Sequence, residues 1–313
     1  MDISTFAPVV IPTLNRFDHF RRCLESLERC TGAEKTDVYV GLDYPPSDKY
    51  LEGWKKINAY LKEKEKKNGF HQLLVYRREH NCGINGGGSN NALLYAEVRK
   101  VSDRYILTED DNEFSPLFLE FINEGLLKYK NNPNVYAICG YNPPVEMSDY
   151  PYNIYASYGL SGWGMGLWFD KTISYNLDEI QKTLKCPRQM MKIYRRSPNL
   201  VYALLDMLDK GLVWGDTCIP FYNIINNSFC IFPRISFVRN WGHDGSGINC
   251  GEGADELFVN QRIFSGENFN MDEIEIKETE SKAVKKYIRQ TYNYKKRIRL
   301  LIKIAKFYLK NNG

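Results

Sequence analysis

None of the eight cysteines forms a Cys-x-x-Cys pair, and no tight Cys/His cluster has zinc spacing. That excludes a zinc ribbon or finger and leaves free thiols in a reducing compartment as the expectation. No run of about 18 apolar residues occurs, so no membrane-crossing helix is expected. The opening MDISTFAPVVIP lacks the basic start and long apolar stretch of a secretory signal. A cytoplasmic location follows as an expectation. Gly-Lys-Ser/Thr is missing from every glycine-rich turn, and none has dinucleotide-binding spacing, which excludes both common phosphate loops. There is no internal repeat and no low-complexity segment, and no nucleic-acid partner is expected.

What is present is a core-forming chain. Its 313 residues are 43% hydrophobic, enough for one large core or two modest ones. The net charge of +4 is unevenly placed. Residues 281–313 carry eleven Lys and Arg and no acid, so the preceding 280 residues carry −7 (+4 minus +11). Within that tail, Ile298, Leu301, Ile302, Ala305 and Leu309 recur at helical spacing. A basic amphipathic helix suits an anionic membrane surface, here the inner face of the membrane. It equally suits a terminal helix packing its apolar stripe on its own domain.

The first 140 residues alternate between short apolar runs and periodic helical segments. APVVIP (7–12), DVYVGLD (37–43), HQLLVYRRE, RYILTED and VYAICGYN read as strands. NRFDHFRRCLESLERC, LEGWKKINAYLKEKEKKNG, NGGGSNNALLYAEVRKV and SPLFLEFINEGLLKYK read as helices. Such alternation predicts an α/β fold with a mixed, mostly parallel sheet flanked by helices. Ligands then bind at the carboxyl ends of the strands, where Asp43 and the triplet Glu109-Asp110-Asp111 fall. After Asn142 the chain turns Pro-, Gly- and Tyr-rich with no period, helices return between Leu177 and Lys210, and FCIFPRISFVRN reads as a final strand pair. One catalytic domain over 1–265, with a nucleotide-binding half to about 115 and an acceptor half beyond it, plus a basic helical tail over 266–313, is the economical division.

Three adjacent carboxylates repel one another, so their place at a strand end needs a reason. A solvated turn is one. The other is a divalent cation on a phosphorylated substrate, because a cation held by carboxylates and phosphate oxygens neutralises a leaving diphosphate.

The segment ILTEDDNEFSPLFLEFI resembles the metal-motif segment of GT-A fold glycosyltransferases. It is most similar to the Glu-Asp-Asp version of the eukaryotic N-acetylglucosaminyltransferase that begins complex N-glycans and to bacterial family-2-like relatives. The resemblance covers residues 7–250 with gaps. It implies a nucleotide-sugar donor, a UDP-sugar, with Mn²⁺ or Mg²⁺ as cofactor, and a glycan or lipid-linked acceptor in surface polysaccharide synthesis. It implies metal contact for Asp111 and donor contact for Glu109 and Asp110. VVIPTLNR resembles the first strand with its nucleotide-contacting Arg16. YVGLDYPPSD resembles the second, whose Asp43 would bond the uracil; a turn-forming Asp is the plainer reading. NCGINGGGSNNA is similar to the family-2 loop beside the donor, which points to Asn85, although a strand-to-helix turn would look the same.

Further on, GLSGWGMGLWF resembles the Gly-rich loop between donor and acceptor, with Gly162 and Trp163 against the substrate. Its plainer reading is an aromatic-packed bend. LVWGDTCIPFY places Asp216 where inverting relatives carry the base that deprotonates the acceptor hydroxyl. A helix-starting Asp is the alternative, and Phe221 or Tyr222 stands where the family shows a second Trp. In PRISFVRNWGHDGSGINC relatives carry a His near the metal. His243 comes early for it, Asn249 occupies the later position, and Asp244 is the spare base.

Two other function classes remain. A sugar-phosphate nucleotidyltransferase shares the strand-end acids, but VVIPTLNR lacks the glycine-rich activating loop of that class. A non-catalytic carbohydrate- or membrane-binding module needs no ordered series of acids, Gly loop and base.

Overall fold

The computed structural model describes residues 6–83, 86–171, 173, 176–246, 258, 260–277, 279, 282–290 and 294–312. Its first half follows the expected alternation. Strand β1 (Val9–Thr13) leads into α1 (Phe17–Glu28), whose Phe20, Cys23, Leu24 and Leu27 recur at helical spacing and are fully buried. Then come β2 (Asp37–Leu42), α2 (Leu51–Lys66), β3 (Gln72–Arg77), α3 (Asn90–Val98) and β4 (Arg104–Leu107). Ser89 caps α3 by accepting a bond from the Ala92 amide at 3.4 Å. β5 (Asn112–Phe114), α4 (Phe118–Lys128) and β6 (Val135–Cys139) complete this half.

The second half departs from the sequence reading. The stretch without a period contains two four-residue strands, β7 (Ile154–Ser157) and β8 (Met165–Trp168). Both are buried at every position, so no polar–apolar alternation marks them. Helices α5 (Leu177–Lys185), α6 (Pro187–Arg196) and α7 (Pro198–Lys210) return where expected. α7 starts on a Ser197 cap with Pro198 in its first turn and ends on Gly211 at φ +64°. α8 (Gly215–Asn226) follows. The expected terminal strand pair forms two strands, β9 (Phe229–Pro233) and β10 (Val238–Asn240), that do not pair with each other. β9 enters the main sheet, while β10 makes a small antiparallel ribbon with β5. The intervening Arg234–Phe237 turn lets one run serve two sheets.

The main sheet has the order β3-β2-β1-β4-β8-β6-β9-β7. Pairing is parallel along β3-β2-β1-β4 and between β6 and β9. β8 is inserted antiparallel between β4 and β6, and β7 closes the edge antiparallel to β9. Six of the eight strands therefore run in one sense. The fold is the mixed, mostly parallel α/β sheet flanked by helices that the alternation predicted, and it is consistent with a GT-A-like architecture.

Two apolar layers sandwich the sheet. One gathers α1, α2 and α4 around Phe20, Leu24, Phe118, Phe121 and Ile122. The other lies under α3 and includes Val10, Leu94, Tyr105, Tyr155 and Cys230. A third cluster joins α5, α6 and α7 through Ile180, Ile193, Val201 and Leu204. The segment after residue 265 joins the first layer: Phe269 meets Phe121 edge-on at 5.0 Å and Met271 is buried. The basic tail adds two helices, α9 (Lys282–Gln290) and α10 (Tyr294–Asn312). The seven cysteines among the described residues are all free thiols.

Gly166 shows how tightly α4 lies on the inserted strand. A Cβ there would stand 2.6 Å from the Cγ2 of Ile122 and 3.0 Å from Leu126. Gly166→Ala is expected to destabilise the fold by about 1–3 kcal/mol, the usual cost of overpacking a dense core. A lower urea midpoint with an unchanged m-value checks it.

Candidate active site

The acid triplet lies just beyond β4, and one guanidinium accounts for its stability. Arg16, at the turn from β1 into α1, forks across two carboxylates. Its Nη2 donates to Asp110 Oδ1, and its Nη1 lies 2.8 Å from Asp111 Oδ2. Both acids are buried. Burying adjacent carboxylates costs several kcal/mol per charge unless they are paired and hydrogen-bonded, and here they are both. Thr13 Oγ1 donates to Asp110 Oδ2 at 2.8 Å. Asn240 Nδ2, from β10, donates to Asp111 Oδ1 at 2.7 Å. Burial alone would lower the Arg16 pKa, but Asp110 and Asp111 more than offset it and the net shift is upward. Burial, against the pull of Arg16, leaves Asp110 above the ordinary aspartate range, with Asp111 adding to the rise.

Glu109 is the exception in the triplet. It is open to solvent, but its opening faces a cavity and protein crowds its sides. Burial first, then repulsion from Asp111 and Asp110, pushes its carboxyl up to about 7. Arg16 and a hydrogen bond with Trp163 act the other way. Three acids thus meet one guanidinium, and the cluster keeps surplus negative charge.

The cavity beside Glu109 has a volume of about 1190 Å³. It extends along the face of the sheet past Tyr105, Met165 and Tyr136, between α3 and α8. Gly162 and Trp163 line the same end as Glu109; a Cβ on Gly162 would lie 3.9 Å from Glu109 Oε1. Inserting β8 antiparallel next to β4 brings its leading Gly-Trp loop to the triplet. Asp216, in the first turn of α8, is exposed on the cavity wall. Its helix is capped by Trp214 without a side-chain bond, so Asp216 is near the helix start but is not the capping residue.

The remaining expected positions fall as follows. His243 stacks on Phe258 at 4.1 Å between centroids and meets Trp163 edge-on at 5.5 Å. Its buried Nε2 has no hydrogen-bond partner among the described residues. Asp244 is tied up: Oδ2 lies 3.2 Å from His19 Nε2, and Oδ1 accepts from the Ser246 amide and hydroxyl at 2.9 and 2.6 Å. Asp43 is buried at the end of β2, where it organises the next loop. It accepts from the Tyr44, Cys82 and Gly83 amides at 2.9, 2.9 and 3.1 Å, and from Asn81 Nδ2 at 3.3 Å. Four donors fill the capacity of a carboxylate, so the turn-organising role is the one present. Asn85 and Asn249 lie outside the described residues.

Sequence reasoning missed Thr13, Asn240 and Gly242. A Cβ on Gly242 would sit 2.2 Å from Asp111 Oδ2, so the backbone there closes on the acid. Asn240 pairs in register with Asn112, one residue past the triplet. Only that pairing reveals its role, since 129 residues separate it from Asp111.

A divalent cation fits this charge. Asp111 accepts one bond at each oxygen and keeps lone pairs to spare. Among the described residues no group of three or more His, Cys, Asp and Glu side chains could hold a metal ion. A cation here would therefore take most of its ligands from phosphate oxygens and water, as Mg²⁺ commonly does.

No protein-family model matches the chain, and no curated protein matches it in sequence. Among solved structures, a mannosyltransferase from Pyrobaculum calidifontis, in complex with GDP-Man and Mn²⁺, superposes with a TM-score of 0.36 at 15% identity. That match covers 52% of this chain and 44% of the other. S. aureus TarS matches with a TM-score of 0.33 at 17% identity over 51% of this chain and 28% of its own. The 1–349 fragment of TarS gives 0.35 at 15% over 56% and 53%. This chain thus spans about half or less of the structures it matches, and so small a shared core carries no argument about activity.

Replacing Arg16 by Met would leave two adjacent buried carboxylates unpaired. Arg16→Met is expected to lose on the order of 3 kcal/mol of stability, the usual penalty for breaking a buried pair. Adding Asp110→Asn should recover part of the loss by removing one of the two repelling charges. Urea denaturation of the two variants at neutral pH checks both expectations.

Proposed function

We propose that the chain is a glycosyltransferase that moves a sugar from a nucleotide donor, a UDP-sugar, to a glycan or lipid-linked acceptor with inversion at the anomeric carbon. One observation carries the reading. A surplus of carboxylate charge, fixed by Arg16 at the end of β4, opens through Glu109 onto a large cavity that also receives Asp216. The family resemblance of the sequence motifs supports the choice of donor.

Mn²⁺ or Mg²⁺ would be held through Asp111 and would supply charge neutralisation to the leaving diphosphate. Arg16 holds Asp110 and Asp111 in place, so the acids need not reorganise as charge develops. Glu109, Gly162 and Trp163 form the wall against the transferred sugar. Glu109 offers its carboxyl to sugar hydroxyls, and the indole face offers an apolar surface to the ring. Asp216 accepts the acceptor hydroxyl proton as that oxygen bonds to the anomeric carbon and the bond to the diphosphate oxygen breaks. A base within reach of the attacking oxygen is what one-step inversion requires. Asp216 suits the task better than Asp244, because Asp244 is engaged by His19 and Ser246.

Donor turnover with a panel of UDP-sugars, with and without Mn²⁺, tests the reading. Transfer is expected to cease in excess EDTA and in Asp111→Ala; full activity in either would remove the cation from the mechanism. Asp216→Asn is expected to keep donor affinity while turnover falls by roughly 10²–10⁴, the usual contribution of a general base. If Asp244→Asn shows that loss and Asp216→Asn does not, the base is Asp244.

A further inference from the structure

The basic tail has two faces, and the structure separates their roles. One face of α10 packs on α5 and α7. Leu300 is fully buried, and Ile304, Phe307 and Tyr308 join the same cluster. Tyr308 Oη donates to the Leu184 carbonyl at 3.1 Å. Lys303 Nζ lies 3.0 Å from Asp206 and 2.9 Å from Asp209 on α7. The other face holds the stripe found in the sequence, and it is exposed. Ile298, Leu301, Ile302 and Leu309 are 42%, 57%, 50% and 77% accessible, and Ala305 is exposed among them. At about 100° per residue these five positions fall within roughly 100° of arc. The exposed cations Arg297, Arg299, Lys306 and Lys310 flank them.

We propose that this outer face is a docking surface for an anionic lipid bilayer, with the apolar stripe lodged in the headgroup region and the flanking cations on lipid phosphates. Charge complementarity selects the occupant, since residues 281–313 contain eleven cations and no acid. The same charge opposes a second copy of the chain, because two such faces would bring like charges together. Nucleic acid would call for cations at the centre of the face, and the centre is aliphatic. No helix among the described residues is long and apolar enough to cross a membrane, so the contact is with the surface. α10 packs on α7, and α7 packs on α8, the helix that carries Asp216. Docking would hold the cavity near lipid-linked substrates.

The inner-face packing means that deleting 281–313 would uncover α5 and α7, so substitutions on the outer face make the sharper test. Full-length protein should sediment with phosphatidylcholine vesicles containing phosphatidylglycerol, and not with phosphatidylcholine alone. Binding should fall about tenfold or more in high salt, because surface charges are screened. Leu301→Gln with Leu309→Gln should lower it about tenfold or more at unchanged thermal stability, since both side chains are exposed. A blue shift of Leu309→Trp emission on anionic vesicles would place the stripe in the bilayer. The readout is adsorption, so it stands or falls separately from transferase activity. Wild-type protein that ignores vesicles of every composition would overturn the proposal. So would a double variant that binds like wild type, or a dimer that only the wild type forms, which would mark the face as a contact between copies.

Discussion

The site rests on one guanidinium shared by two buried carboxylates. Arg16 comes from the first loop, Asp110 and Asp111 from the turn after the central strand β4, and Asn240 from the ribbon strand β10. Without that fork, adjacent buried anions would carry an uncompensated desolvation penalty of several kcal/mol. The interaction therefore fixes the β1–α1 turn against the end of β4. It also gives β10 a reason to leave the main sheet and pair with β5, because that register is what delivers Asn240 to Asp111.

Glu109 marks where the compensation ends. Its neighbours share one guanidinium, but it faces the cavity with a carboxyl raised by burial and by their remaining like charge. The antiparallel insertion of β8 sets the Gly162-Trp163 loop against it, and α8 presents Asp216 on the same cavity. A fixed anionic end, a flat aromatic wall and a carboxylate without a hydrogen-bond partner among the described residues thus share one space. The strand order, with β8 inserted beside β4, is what brings these groups together.

The tail shows how one helix can satisfy two demands. Its sequence posed a choice between packing on the domain and meeting a surface. The structure uses different residues for each: Leu300, Ile304, Phe307 and Tyr308 turn inward, and the stripe turns outward. Lys303 goes with the inner set because Asp206 and Asp209 wait on α7.

Local pattern determined much of this in advance. Period-3.6 helices and β-branched runs made β1 through β4 and α4 legible, because each is amphipathic or apolar enough to declare itself within about ten residues, whereas the three-residue β5 gave no such signal. The triplet stood out at its strand end, and the family resemblance pointed to Arg16, the Gly-Trp loop and Asp216, though it set Arg16 on a nucleotide and gave no sign of its pairing with Asp110 and Asp111. β7 and β8 could not be picked out, since strands of four wholly buried residues have no alternation to read. Nor could the choice between the two readings of Asp43 be made, because three of its four donors sit on a loop that tertiary pairing brings alongside. Asn240 and Gly242 stayed hidden for the same reason: an Asn or Gly acquires its role only when a distant carboxylate is placed against it. Sequence by itself set which residues could bear charge and which could be buried. Tertiary structure decided which charges meet, because ion pairs and hydrogen bonds act over a few ångströms of space and are indifferent to distance along the chain.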